Sequence, residues 1–113
     1  MELNEYQVKA LRTENTELNQ KDLAGYAAKV YAVCKLAEEA GEVAGLMAKH
    51  IGQGHPIPDD AVKKELGDLF WHLAHAAKQW GFTLEDIGLT NLAKLWDRYP
   101  EGFSSERSIN REE

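Results

Sequence analysis

Apolar residues recur along most of the chain in alternating steps of three and four, which is the spacing of one face of an α-helix. The longest run of this kind predicts a helix over about residues 22–51. Its apolar positions are 23, 26, 30, 33, 37, 40, 44, 47 and 51. No segment alternates with a period of two over a useful length, so the pattern predicts an all-α protein.

Turn-forming and polar residues divide this pattern into four predicted helices. Asn4 and Gln7 have the spacing of a capping box, which predicts the start of a short first helix. The polar stretch 13–22 predicts a connecting loop. The sequence GQGHPIP at residues 52–58 contains two glycines and two prolines, and it predicts the end of the long second helix.

The second half of the chain carries two further helix starts. Asp59 is expected to cap a third helix, and Thr83 with Asp86 is expected to form the capping box of a fourth. We therefore expect one domain over residues 1–103. Residues 104–113 are polar, and we expect a C-terminal tail that is partly disordered or lies on a partner.

The second predicted helix is apolar on nearly all sides. Residues outside its main apolar stripe are apolar too, namely Ala28, Ala32, Leu36, Val43 and Leu46. A helix of this kind is normally buried on more than one face. A chain of 113 residues has little other material to cover it, so the pattern predicts a homo-oligomer.

Acidic residues interrupt the apolar runs of the second and third predicted helices. Glu39 and Glu42 are spaced i, i+3, and so are Glu65 and Asp68, which places each pair on one helix face. The short loop makes the two helices antiparallel neighbours, and a rise of about 1.5 Å per residue brings the four carboxylates to similar depths. Charges among apolar residues are costly without a partner, so we expect the four acids to converge on a positive ligand.

Carboxylate oxygens without nitrogen or sulfur ligands suit hard cations, above all Mg²⁺ with Mn²⁺ as a substitute. Mg²⁺ usually takes further oxygens from water and from substrate phosphates, so the cluster predicts a phosphate-bearing ligand. The alternative is that each acid is solvated or pairs with Lys35, Lys63 or Lys64. A di-iron helical protein fits less well, because it needs Glu-x-x-His pairs and the chain has none.

Cationic and polar groups for a phosphate chain occur on the fourth predicted helix. Asn91, Lys94 and Arg98 share one face at spacings of three and four. Guanidinium groups bind phosphate as a fork and ammonium groups as a point charge. We therefore expect phosphate contacts from these three residues, with a solvated basic face beside Asp97 as the alternative.

Two further residues are candidate substrate contacts. His72 follows Asp68 by four residues, so it lies on the acidic flank and can bond a carboxylate or a phosphate. Gln7 has the donor and acceptor pair that a base edge needs. Each also suits a structural role, His72 as a satisfied interior group and Gln7 as the capping-box residue.

Composition limits the partners. A net charge of −6 argues against a general nucleic-acid or membrane surface. The single cysteine, Cys34, cannot form an internal disulfide and fits a reducing compartment. The charged N-terminal sequence is unlike a signal peptide, and no apolar stretch is long enough to cross a bilayer. We expect a cytoplasmic protein without nucleic-acid or membrane partners.

The double acidic motif resembles that of a known family. EEAGE at residues 38–42, followed after 22 residues by ELGD at 65–68, is similar to the EExxE and ExxD motifs of the MazG-type nucleoside triphosphate pyrophosphohydrolases. These belong to the all-α NTP pyrophosphatase superfamily. The segments EYQVKALRT, KHIGQGHP, NLAKLWDRYPEGF and SERSINREE resemble short, single-domain members from bacteria and their phages.

The resemblance implies a four-helix MazG-like bundle and Mg²⁺-dependent cleavage of a nucleoside or deoxynucleoside triphosphate to the monophosphate and pyrophosphate, for nucleotide-pool control or house-cleaning. It implies that Glu39, Glu42, Glu65 and Asp68 ligate the metal. It also implies that Glu38 is catalytic, either behind the ligands or as the group that orients or deprotonates the attacking water.

The resemblance also concerns assembly and location. It implies a homo-oligomer, a tetramer in preference to a dimer, with the fourth helix or tail of one subunit near the acidic cluster of another. The expected location is the cytoplasm of a bacterial or phage-infected cell.

Other functions fit the same residues. One is a phosphoribosyl-ATP pyrophosphohydrolase or dUTPase-like activity within the superfamily. Another is a non-enzymatic helical interaction module whose acids receive a basic partner and need no Mg²⁺. No pattern in the chain distinguishes one base from another, or ribose from deoxyribose.

Overall fold

The fold was analysed in a computed structural model that describes residues 1–15 and 25–111. A 3₁₀ turn, Leu11–Thr13, follows the first helix. The α-helices are α1 (Leu3–Ala10), α2 (Tyr26–Gln53), α3 (Asp59–Gln79), α4 (Leu84–Arg98) and α5 (Ser105–Ile109). These described residues form no strand, so the prediction of an all-α protein is confirmed. None of their helices is both long enough and apolar enough to span a bilayer.

The long second helix is present with shifted ends. It begins at Tyr26 in the described part, whereas the predicted start at residue 22 and most of the predicted loop 13–22 lie outside the described residues. It extends two residues beyond the predicted end, to Gln53. There Gly54 adopts a left-handed φ of 70°, and the N–H of the following residue, His55, donates to the Lys49 carbonyl at 3.2 Å. Glycine is the residue that accepts this helix-ending conformation without steric cost.

Of the predicted starts of α3 and α4, that of α4 is confirmed and that of α3 is wrong. The Thr83–Asp86 capping box is confirmed: the Asp86 N–H donates to Thr83 Oγ1 at 3.0 Å, and the Thr83 N–H donates to Asp86 Oδ2 at 3.1 Å. The prediction that Asp59 caps α3 is wrong, because Pro58 is the capping residue and Asp59 is the first residue of the helix. An acid in the first turn is still favourable there.

The predicted capping box in α1 is wrong. The helix begins two residues earlier than this cap predicts, at Leu3, with Glu2 as the capping residue and no side-chain cap. Asn4 instead reaches the start of α4, where its Oδ1 accepts a hydrogen bond from the Glu85 N–H at 3.0 Å. The polar side chains of α1 therefore stabilise its contact with α4.

Gln7 links α1 to the turn between α3 and α4. It is buried, and its amide nitrogen donates to the carbonyls of Ala74 at 3.2 Å and Phe82 at 3.1 Å. Its Oε1 accepts from the Leu84 N–H at 3.1 Å. Both amide hydrogens are thereby used, so Gln7 in this position has only one oxygen lone pair to offer a base.

The core lies where α1 and α4 pack on the C-terminal half of α3. Its buried members are Ala74, Ala77 and Leu84, with Tyr6, Phe70, Leu73 and Ile87 packed against them. The Tyr6 and Phe70 rings stack with centroids 4.4 Å apart. α2 packs along α3 as a helical hairpin. α3 is therefore the central element, against which α1, α2 and α4 pack.

α2 and α4 leave large apolar side chains exposed in a single chain. The only buried residues of α2 in the described chain are Ala28 and Ala32, and Leu36, Val43 and Leu46 are partly buried. The exposed apolar side chains on these two helices include Tyr26, Val30, Val33, Ile51, Leu89, Leu92, Leu95 and Trp96. So many large exposed apolar side chains on two helices are typical of an interaction surface.

The C-terminal residues fold back onto the end of α4, which the polar pattern did not predict. Residues 105–109 form α5, and Ser104 caps it by accepting from the Arg107 N–H at 3.3 Å. The Arg107 guanidinium donates to the carbonyls of Asp97, at 3.2 Å, and Arg98. These carbonyls lie at the C-terminal end of α4 and have no partner within the helix. The Arg107 guanidinium supplies their hydrogen bonds, which the polar pattern of the tail did not predict.

We expect Gln7→Ala to lower the free energy of unfolding by about 2–4 kcal/mol, because it leaves the buried Leu84 N–H without a partner and removes the hydrogen bonds to the Phe82 and Ala74 carbonyls. Val8→Ala is the matched control on the next, largely exposed position, with an expected change within about 0.5 kcal/mol. Urea unfolding followed by circular dichroism measures both. Equal unfolding free energies for the two variants would contradict the structural role of Gln7.

Candidate metal centre

Three of the predicted metal ligands come together between α2 and α3. Glu39, Glu42 and Glu65 each offer a carboxylate oxygen, and these oxygens all lie within 4.8 Å of one another. Glu39 and Glu65 are partly buried, and Glu42 is exposed. The spacing of the acids on each helix and the packing of the hairpin produce this arrangement, because i, i+3 pairs face the same neighbour.

Asp68 lies at the flank of this group and outside the set of three. Its side chain is exposed. It is nevertheless close enough to raise the pKa of Glu39 and, after burial, the pKa of Tyr6. Asp68 as a fourth ligand stays a prediction.

Glu39 is the most enclosed of the acids, and its hydrogen bonding is incomplete. His72 Nε2 lies 3.4 Å from Glu39 Oε1, with only 16% and 14% of the two side chains exposed. Glu39 Oε2 and His72 Nδ1 are buried and have no hydrogen-bond partner in the described part of the chain. A buried carboxylate oxygen without a donor or cation is costly.

The electrostatics of Glu39 indicate a missing positive charge. Burial is the main cause that raises its pKa, and the nearby Glu42 is the second. His72 acts in the opposite direction but does not cancel these effects. A carboxyl group whose ionised form is disfavoured in this way becomes stable as an anion when a cation binds beside it.

The donor set fits a hard divalent cation. All three close ligands are carboxylate oxygens, which Mg²⁺ and Mn²⁺ accept. The cluster opens on one side into a depression of about 270 Å³. This depression is lined by Glu42, Gly45, Leu46, Lys49 and Glu65. An open side suits Mg²⁺, which keeps waters and takes phosphate oxygens, and Lys49 adds a cation that the sequence reasoning did not single out.

Nearby lysines pair with acids other than the three close ligands. Lys35 Nζ lies 2.9 Å from Glu38 Oε1, and Lys64 Nζ lies 3.3 Å from Asp60 Oδ2. The Glu38 side chain is 56% exposed. The catalytic role implied for Glu38 stays a prediction, and in this arrangement its charge is balanced by Lys35.

The candidate phosphate contacts of α4 line different depressions. Asn91 and Lys94 line one of about 360 Å³ on the α4 surface. Arg98 lines another at the C-terminal end of α4. The acidic depression contains none of the three. Within one chain, therefore, they do not line the same depression as the acids, and their role stays a prediction.

A small cavity adjoins His72, and sequence reasoning missed it. It measures about 150 Å³. Its lining residues are Thr13, Asn15, Tyr31, Lys35, Trp71, His72 and His75. Trp71 Nε1 donates to the Ala10 carbonyl at 2.9 Å and to Thr13 Oγ1 at 3.0 Å. These bonds hold its ring in place beside the rings of His72 and His75, whose centroids lie 4.9 Å and 5.3 Å from that of Trp71.

The segment after α1 is held beside this cavity by Glu14. Its carboxylate accepts from Lys78 Nζ at 2.5 Å and Gln79 Nε2 at 3.2 Å, and His75 Nε2 lies 3.6 Å away. Burial is the main cause that lowers the pKa of His75, although Glu14 acts to raise it. A signal for this contact is the i, i+3 and i, i+4 spacing of the three α3 residues, which places them on one face.

The fold and the site together define a helical protein whose hairpin carries a carboxylate cluster that fits a divalent cation. A comparison with protein-family models gives the family: the model of the MazG nucleotide pyrophosphohydrolase domain matches residues 31–103. This span is more than half of the chain and contains all four predicted metal ligands. The chain therefore belongs to the MazG family, as the motifs indicated. Comparisons with curated proteins and with solved structures gave no match.

We expect Glu39→Gln to raise the melting temperature of the metal-free protein at pH 7–8. The pKa of Glu39 is raised on folding, so the folded state loses stability as the pH rises from about 4.5 through the folded pKa. The neutral amide of the variant removes this loss and can still accept a hydrogen bond from His72. The gain should therefore shrink towards pH 4, where the native carboxyl is protonated.

Glu38→Gln is the matched control, because it removes the same charge one position away at an exposed site. Its melting temperature should stay equal to or slightly below that of the native chain, since it loses only a surface ion pair. Melting curves in chelator at several pH values measure the effect. A lower melting temperature for Glu39→Gln at pH 7–8 would contradict the unfavourable charge.

Proposed function

We propose that the chain hydrolyses a nucleoside or deoxynucleoside triphosphate to the monophosphate and pyrophosphate, with Mg²⁺ as cofactor. The observation that carries this proposal is the group of three carboxylates within 4.8 Å of one another in a chain of the MazG family. The burial of Glu39 and the open depression beside Glu42 and Glu65 support it, because a cation and a phosphate chain satisfy both.

The acids act as the metal site in this proposal. Glu39, Glu42 and Glu65 hold Mg²⁺, or Mn²⁺ in its place, and Asp68 one turn beyond Glu65 completes the set. When bound, the cation offsets the charge of the phosphate oxygens and makes the attacking water more acidic. Glu38 is the candidate for orienting that water, which requires it to leave Lys35.

The nucleoside occupies the cavity beside His72. His72 lines this cavity and contacts Glu39, so a base and sugar there lie next to the acidic cluster. The Trp71 and Tyr31 rings offer apolar surface to a base. His72 has a double role, since it orients Glu39 and borders the nucleoside.

The reaction breaks the bond between the α- and β-phosphates. Water attacks the α-phosphorus, the pyrophosphate oxygen leaves, and the water proton passes to an acid of the cluster. Phosphoryl transfer needs little covalent help, so positioning and charge stabilisation determine the rate. Asn91, Lys94 and Arg98 are the proposed partners of the departing phosphates, and Lys49 stands at the rim of the acidic depression.

The active assembly is a homo-oligomer in this proposal, a tetramer in preference to a dimer. The apolar side chains exposed on α2 and α4 support it, because a second copy removes them from water. The separation of the α4 phosphate candidates from the acids supports it as well. In the oligomer, α4 of one subunit contacts the acids of another, so the phosphate-binding residues and the metal ligands form one site. The role of the enzyme is nucleotide-pool control or house-cleaning in the cytoplasm.

Incubation with a panel of nucleoside and deoxynucleoside triphosphates and Mg²⁺ should give monophosphate and pyrophosphate, resolved by chromatography. Chelator should stop the reaction, and Mg²⁺ or Mn²⁺ should restore it. Diphosphate with orthophosphate as the main products would contradict the proposed bond. Turnover in chelator would contradict the metal, and no turnover of any substrate would favour an interaction module.

Glu42→Gln and Asp68→Asn should each lower kcat at least about 100-fold while leaving the helical circular dichroism unchanged, because each removes a metal ligand. Asp60→Asn is the matched control on α3, where an exposed acid pairs with Lys64. It should keep the native rate. Near-normal rates in both ligand variants would refute the assignment.

Light scattering at micromolar concentration should give a mass of several times 12.7 kDa. Inactive Asp68→Asn and Lys94→Ala chains, refolded together, should regain partial activity, because some hybrid sites carry both intact groups. A monomer mass would refute the oligomer. Absence of rescue in a confirmed oligomer would place Lys94 in the site of its own chain.

A further inference from the structure

The acidic depression continues along one stripe of α2. Its lining residues from this helix are Glu42, Gly45, Leu46 and Lys49. Their spacing of i, i+3, i+4 and i+7 places them on one helix face. A methyl group added at Gly45 would meet no other part of the described chain within 4 Å, so the surface between Glu42 and Lys49 is open. The depression therefore leads from the acids towards the C-terminal end of α2.

Lys49 supplies the positive charge of this depression. It is exposed, and its ammonium group forms no hydrogen bond or ion pair with the described residues. The neighbouring Lys35 and Lys64 differ, because they pair with Glu38 and Asp60. Among the described residues that line the depression, Lys49 is the one cation. An anion that lies there thus has the acids at one end and the ammonium group of Lys49 at the other.

The backbone that carries Lys49 is fixed at the end of α2. The Lys49 carbonyl accepts the His55 N–H at 3.2 Å, and the His55 carbonyl lies 2.7 Å from His50 Nδ1. Side chains of an α-helix lean towards its N-terminus. We therefore expect the flexible stem of Lys49 to lean back towards Glu42, so that the ammonium group faces the open surface above Gly45.

The order of residues along α2 gives the direction of a bound nucleotide. Tyr31 lines the cavity that the proposed function gives to the nucleoside. Glu39 and Glu42 follow on the same helix, and Lys49 lies seven residues beyond Glu42, which is a rise of about 10 Å. With the nucleoside in the cavity and the α-phosphate at the acids, the remaining phosphates extend towards Lys49.

We propose that Lys49 binds the terminal phosphate of the substrate and thereby makes the site selective for triphosphates over diphosphates. A diphosphate in the same position ends one phosphate short of the lysine. The ammonium group acts as a point charge, and it offsets the negative charge that each additional phosphate brings beside the acids. This role rests on the proposed function, and it adds a determinant of phosphate-chain length on α2.

Calorimetric titration with non-hydrolysable nucleotides measures this contact without turnover. The probes are the α,β-methylene analogues of ATP and dTTP, each compared with the corresponding diphosphate analogue in the presence of Mg²⁺. The native chain should bind a triphosphate analogue more tightly than its diphosphate. Lys49→Gln should weaken binding of that triphosphate about tenfold and of the diphosphate less than about threefold. Lys49→Arg should keep most of the preference, because it keeps the charge.

Lys63→Gln is the matched control, because it removes an exposed lysine of α3 that does not line the depression. It should bind both analogues as the native chain does, and melting curves verify that each variant is folded. Native triphosphate affinity in Lys49→Gln overturns the proposal. An equal loss for triphosphate and diphosphate overturns it as well, and so does a native chain that does not prefer the triphosphate.

Hydrolysis of triphosphates with Mg²⁺, measured on the same preparations, separates the contact of Lys49 from the proposed function. A Lys49-dependent preference for the triphosphate in binding, without hydrolysis of any triphosphate, supports the contact and overturns the proposed function. Hydrolysis by the native chain, with an unchanged binding preference in Lys49→Gln, overturns the contact and leaves the proposed function in place.

Discussion

Repulsion between carboxylates held between α2 and α3 is the constraint on which the rest of the structure depends. The spacing of Glu39, Glu42 and Glu65 and the packing of the two helices bring their carboxylates onto facing surfaces. Burial of Glu39 makes the repulsion costly, as its raised pKa indicates. A site with this property is poised to bind a cation, since the ion removes the cost that the folded chain otherwise bears.

The remainder of the domain supports this site through α3. Gln7 and Trp71 attach α1 and its following turn to α3, and Glu14 attaches the next segment. The same contacts form one wall of the cavity beside His72, which in turn contacts Glu39. Buried polar groups with all partners satisfied give a unique arrangement, so the first helix determines the shape of the cavity as well as the stability of the core.

The apolar surfaces of α2 and α4, unlike the contacts of α1 with α3, have no partner within the described part of a single chain and are exposed to solvent. A domain of this length buries a modest share of its surface, and here the buried core consists mainly of alanines around α3. The candidate phosphate-binding residues lie on α4 and do not line the depression that the acids line. In the proposed oligomer, one association of subunits would both cover the apolar surfaces and bring these residues to the acids.

The sequence by itself determined the helical class, the Thr83–Asp86 cap and the grouping of Glu39, Glu42 and Glu65, because each depends on residues close in the chain or on two helices joined by a short loop. It did not determine the partners of Gln7, the cavity beside His72 or the folding of Arg107 onto α4. The Gln7 contacts join residues more than sixty positions apart, and the Arg107 contacts cross the turn between two helices. In each case many polar groups could satisfy the same donors, and only the packing brings one of them within reach. Only the tertiary structure makes that choice, because a hydrogen bond of a few ångströms depends on the relative placement of whole helices.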